Sequence, residues 1–93
     1  MFLHIGEGVS IPQERIIGIF DLDRTSCSGR TRDYLKHAEE EGVVINAGDG
    51  IPRSFVTADH PYHTQIVYLS QLSPETLVKR AAEGLSEQGG TIG

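Results

Sequence analysis

Apolar residues fall in short runs of two different periods along the chain. Residues 2–5 and 9–11 have the alternation of short β-strands, and Gly6-Glu7-Gly8 between them supplies the glycines that a tight turn requires, which predicts a hairpin. Residues 15–22 are rich in β-branched and aromatic side chains and apolar on both faces, which predicts a central strand. The period then changes. Over residues 30–41, Thr31, Tyr34, Leu35 and Ala38 form one helical stripe with charges elsewhere, and Gly42 stands where helices commonly end. Strands are expected again at 43–45 and 53–58, around the turn-forming Asn46-Ala47-Gly48-Asp49-Gly50. Another is expected at 65–69, after Asp59-His60-Pro61-Tyr62.

The last element carries the most explicit signals. Ser73 is a natural N-cap, Pro74 has the fixed φ favoured at the first helical position, and Glu75 puts a negative charge in the positive first turn. Leu72 and Leu77 occupy the two places of a hydrophobic staple, and Leu77, Val78, Ala81 and Leu85 form an apolar stripe. Residues 86–93 are mostly glycine, serine and threonine and have nothing to bury, so they are expected as a flexible C-terminal tail. The expected fold is α+β: a small, mostly antiparallel sheet with two helices in a single domain over residues 1–85.

Size and charge narrow the function. A chain of 93 residues makes one domain with a thin core. Its 13 acidic and 8 basic residues give a net charge of −5, so the surface as a whole repels phosphate polymers and anionic membranes. Nucleic-acid binding would then require a local basic patch. The single cysteine, Cys27, excludes an internal disulfide and suits a reducing compartment. No apolar stretch approaches the roughly 20 residues that span a bilayer, and Met1-Phe2-Leu3-His4 lacks the basic start of a secretion signal. A cytoplasmic protein without membrane contact is expected.

Residues 17–25, IGIFDLDRT, spell the opening motif of haloacid-dehalogenase-like phosphatases, with Asp21 as nucleophile and Asp23 as general acid and base around a magnesium ion. That chemistry also needs a downstream Ser or Thr, a lysine for the phosphate and a further acidic pair, all at the carboxyl ends of parallel strands. The only lysines are Lys36 and Lys79, and Asp49 and Asp59 are single acids in turns. A motif counts only in its structural context, so the two aspartates read as polar residues where a strand leaves the core, and no catalysis is expected. Asp59-His60-Pro61-Tyr62-His63 has too few ligands for a zinc site, and its proline marks a turn. Cys27 reads as a loop cysteine. No metal or other cofactor is expected.

The basic residues are more informative. Arg24, Arg30, Arg32 and Lys36 cluster around the start of the first helix, Arg15 opens the strand at 15–22, and Arg53 opens that at 53–58, whereas Glu39-Glu40-Glu41 gather the acids. An arginine at a strand mouth presents a planar fork that grips phosphate bidentately, so Arg15 and Arg53 would share one face if their strands are neighbours. The alternative for each is a solvated strand end or an ion pair with Glu14 or Asp49.

The stretches MFLHIGEGVSIP, ERIIGIFDLD, GIPRSFV and YLSQLSPETLVKRA, which together run over residues 1–81, resemble the RemA/RemB family of small bacterial regulators of extracellular-matrix genes, and within it the RemB-like branch. The resemblance implies a non-enzymatic fold that assembles into a ring-like homo-oligomer, with DNA gripped by basic residues repeated around it. It implies DNA contacts at the arginine equivalent to Arg15 and at a pair of adjacent arginines just after the glycine equivalent to Gly50. In this chain those two places are Ile51 and Pro52, and the nearest basic residue is Arg53. This departure removes one phosphate grip per subunit, for which Arg53, Arg30 or Arg32 would have to substitute. Repetition around a ring would sum weak phosphate contacts into a steeply salt-dependent affinity. Closure would also hide edge strands that a small sheet leaves exposed. The reading is therefore an oligomeric DNA-binding transcriptional regulator of the biofilm or matrix-gene type, with Arg15 and Arg53 as first phosphate contacts and Arg30 and Arg32 as supplements. The rival reading is an oligomeric scaffold protein that binds a protein partner and no DNA.

Overall fold

The computed structural model describes residues 1–22, 29–62 and 65–92, of which 84–92 by their backbone. Asp23, Arg24, Cys27 and His63 lie outside the described residues, as do the side chains of the expected tail. The chain runs through β1 (Phe2–Gly6), β2 (Val9–Pro12), a single 3-10 turn (Gln13–Arg15), β3 (Ile16–Asp21), α1 (Gly29–Glu40), β4 (Val44–Asn46), β5 (Ser54–Ala58), β6 (Ile66–Ser70) and α2 (Pro74–Ile92). The class is α+β with two helices, as the hydrophobic pattern predicts.

β1 and β2 form the expected antiparallel hairpin, turned at Gly8, whose φ of 70° only glycine adopts without strain. The other four strands form one sheet in the order β3-β5-β6-β4. β3–β5 and β5–β6 are antiparallel, while the three-residue β4 runs parallel to β6. The sheet is mostly antiparallel, but β3 is its edge and not a central strand. The apolar character of β3 on both faces has another cause: Ile16 and Ile19 pack on the core, while Ile17 and Phe20 stay 55% and 41% exposed on the other face.

The two sheet faces carry separate cores. On one, Val56 and Ala58 meet Leu3 and Ile5 of β1, Ile11 of β2, Ala47 and Leu77 of α2, so the helix and the hairpin cover this face together. On the other, Phe55 and Val67 meet Ala38 of α1 and Val43, in a cluster that also takes in Ile66 at the start of β6 and the partly buried Leu35. The helical stripes are narrower than their patterns suggest. In α1 only Ala38 is fully buried, and in α2 Leu77 is buried while Val78 is 56% exposed. Ser73 does cap α2, its Oγ accepting from the Thr76 N–H at 3.2 Å, and Leu72 packs on the cluster that holds Leu77.

Two buried hydroxyls on cross-strand partners tie the sheet to its cover, one to the hairpin and one to the segment that leads into α2. Ser70 Oγ donates to the Ile5 carbonyl at 2.6 Å and accepts from the Leu72 N–H, while Ser54 Oγ donates to the Leu72 carbonyl at 2.7 Å. Ser70→Ala strands a buried carbonyl and a partly buried amide, so it is expected to destabilise by about 1–3 kcal/mol. Urea unfolding, with an unchanged m-value, checks this.

Candidate nucleic-acid interface

Arg15 ends the 3-10 turn that β2 feeds into β3; it is not itself a strand residue. Its carbonyl accepts from the Asp59 N–H at 2.8 Å, which ties this corner to the far end of β5, and its side chain is exposed. Arg53 precedes β5 and is held on both sides, its N–H donating to the Ser70 carbonyl at 2.8 Å and its carbonyl accepting from Leu22 N–H at 3.0 Å. Its side chain is exposed as well. Among the described residues neither guanidinium has a carboxylate partner, so neither Glu14 nor Asp49 takes the ion-pair role considered for it.

β3 and β5 are neighbours, as sharing a face would require, but they are antiparallel. Ile16 pairs with Ala58 and Asp21 with Ser54, so Arg15 and Arg53 stand at opposite ends of the ladder. At about 3.4 Å per residue the two ends lie roughly 20 Å apart. One subunit does not bring them together.

The loop over residues 47–53 is built from the strand order outward. Because β5 is two strands away from β4, this segment must cross the end of β6. Ala47 N–H donates to the Leu69 carbonyl at 2.8 Å, and the Gln71 carboxamide oxygen, in the orientation that satisfies its neighbours, accepts from Asp49 N–H at 2.8 Å and from Gly50 N–H. Gly48 and Gly50 lie against that carboxamide, where a Cβ would collide with it. Ile51, at the first of the two places where an arginine pair is expected from the resemblance, is 88% exposed. Gln71 gave no sign in the sequence, because a side chain that caps a loop from beyond the end of another strand leaves no local pattern.

Arg30 and Arg32 lie in the first turns of α1, two residues apart, and side chains so spaced do not face one another. Arg30 lines a groove with Ile17 of β3, and Arg32 does not. Glu39, Glu40 and Glu41 are all exposed near the other end of α1, with Glu41 3.9 Å from His37. Asp21 ends a strand whose neighbour runs the opposite way, so it does not stand beside the carboxyl end of another strand as the phosphatase arrangement requires. No group of three or more His, Cys, Asp or Glu among the described residues is placed to hold a metal ion. No helix among them is long and apolar enough to cross a membrane.

Comparison with known proteins decides the family. The sequence model of the RemA-like family, described as extracellular matrix regulatory protein A-like, matches residues 2–81. The chain belongs to the RemA-like family. It is also 32% identical over 81 residues to extracellular matrix regulatory protein B of Bacillus subtilis (strain 168), a match covering 87% of this chain and 90% of that protein. The match to the RemA-like family takes in β1 to β6 and the first part of α2, so it includes Arg15, Arg30, Arg32 and Arg53.

Proposed function

We propose that this RemA-like protein is a non-enzymatic, DNA-binding transcriptional regulator acting in the cytoplasm as a closed homo-oligomer. The observation that supports this most is the pair of exposed arginines, Arg15 and Arg53, without a carboxylate partner among the described residues, on backbone fixed by hydrogen bonds at the two ends of an open-edged ladder. A rigid backbone lowers the entropy lost when a side chain closes on phosphate. The roughly 20 Å between the arginines is then a feature of the assembly: a head-to-tail arrangement sets the Arg15 end of one copy toward the Arg53 end of the next. Arg30 and Arg32 supplement these contacts, and the exposed acids of residues 39–41 face away from the DNA. The open edge of β3 is the element that closure would cover.

Fluorescence anisotropy with labelled duplex DNA across a salt series tests the reading, alongside the mass of the protein by light scattering. A discrete oligomer whose affinity falls linearly in log–log with salt supports it. Absence of binding at low ionic strength, with a protein partner recovered instead, favours the scaffold alternative.

A further inference from the structure

On the sheet face that α1 only half covers there is a groove of about 330 Å³ lined by Ile17, Phe20, Arg30, Thr31, Tyr34, Phe55, Thr57 and Gln65. Three features of the edge strand shape it. The β3–β5 register shifts between Ile16 and Gly18, so Ile17 is the bulged residue and is turned toward the groove. A Cβ at Gly18 would fall 2.8 Å from the Phe20 ring, so only glycine lets that ring fold back over the strand. There Phe20 stacks on Phe55, with ring centroids 4.8 Å apart and planes 17° from parallel.

The polar groups of the lining include donors that remain available to a ligand. Tyr34 donates its hydroxyl to Gln65 Oε1 at 2.5 Å, and burial pushes the phenol's pKa up, so it stays protonated. That bond occupies the oxygen of Gln65 and leaves its amide N–H groups for a ligand. Thr31 and Thr57 add hydroxyls, and Arg30 adds a guanidinium that has no carboxylate partner among the described residues. In a chain with 13 acidic residues, none of the described acids lines the groove. An aromatic wall, the free amide N–H groups of Gln65 and one cation without a carboxylate partner among the described residues are complementary to a ring that bears a negative charge.

We propose that this groove is a binding site for a small aromatic carboxylate, its ring against Phe20 and Phe55 and its carboxylate on Arg30. The site lies on the sheet face, so a strand added in-plane at the edge of β3 leaves it open; Arg30, which also supplements the proposed DNA contacts, is the one residue the two readings share.

The test is an amide NMR titration of the full chain with benzoate, its neutral isostere benzamide, and acetate. Benzoate is expected to give saturable shifts at Ile17, Phe20, Thr31, Thr57 and Gln65, benzamide to bind about tenfold more weakly because it lacks the charge-assisted bond, and acetate to give none. Arg30→Gln should abolish the preference for benzoate over benzamide while leaving the weak benzamide shifts. Gly18→Ala, which displaces the Phe20 ring, should weaken both ligands alike. Equal affinity for benzoate and benzamide in the native protein, saturation at other residues, or no saturation would overturn the proposal. So would groove resonances that respond to protein concentration and not to benzoate, which would show a second copy in the groove.

Discussion

Arg15→Ala is expected to abolish most DNA affinity at physiological salt while leaving the fold unchanged. Its side chain is exposed and has no ion-pair partner among the described residues, so truncation should alter stability by no more than about 0.5 kcal/mol. Its effect on binding would be multiplied by the number of copies in the assembly, because a homo-oligomer loses the same contact in every subunit. A protein making 6–10 phosphate contacts loses roughly 10³–10⁵ in affinity between 50 and 200 mM salt, with a slope of about −0.9 per phosphate neutralised. The variant should therefore show both weaker binding and a flatter log–log salt dependence, by anisotropy at several salt concentrations. A parallel loss without a change of slope would mean that Arg15 acts on assembly and not on phosphate. The converse experiment uses the loop after Gly50. Ile51 is almost fully exposed there, so Ile51→Arg adds a guanidinium at little structural expense and should tighten binding and steepen the slope. An unchanged slope would remove this loop from the proposed interface.

How much of this was legible in the sequence depends on the range of the interaction concerned. The hairpin, α1, the start of α2 and the later strands were readable within a residue or two, because turn glycines, the Ser73–Pro74 cap and apolar periodicity all act locally. The place of β3 was not. Apolarity on both faces is what a central strand needs, and it is equally what an edge strand shows when one face meets a core and the other lines a groove. The same limit applied to the arginines. Their positions next to strands were readable, but whether Arg15 and Arg53 stand together depends on the direction of the β3–β5 pairing, a long-range property that neither strand encodes alone. Gln71 and Gly18 were missed for a related reason: each matters through a tertiary contact with a ring or a loop, and neither sits in a local motif. The phosphatase-like spelling shows the opposite case, a local pattern at residues 17–25 whose usual parallel-strand setting is absent at Asp21.

Leu77→Ala should be the most destabilising of the substitutions considered. Leu77 has no exposed surface, and it reaches from α2 into the cluster formed by Leu3, Ile5, Ile11, Ala47, Val56 and Ala58. Those residues belong to the hairpin, the loop after β4 and the sheet, so a cavity at this point loosens three parts of the fold at once. Because the cluster is flanked by the Ser70–Ile5 and Ser54–Leu72 hydrogen bonds, it cannot collapse easily to fill the void. A buried Leu→Ala change costs about 2–5 kcal/mol, more where the site relaxes least. For a domain of this size each kcal/mol lowers Tm by roughly 4–8 °C, so a fall of 10 °C or more is expected by calorimetry or thermal circular dichroism. Val78→Ala is the matched comparison: it lies one residue along the same helix, is 56% exposed, and should shift Tm by a small fraction of that amount. Comparable losses at the two positions would mean that α2 does not dock through Leu77. A dominant loss at Leu77 would also separate stability from binding: the residues that hold the hairpin to the sheet lie on one face, and Arg30 with the groove on the other.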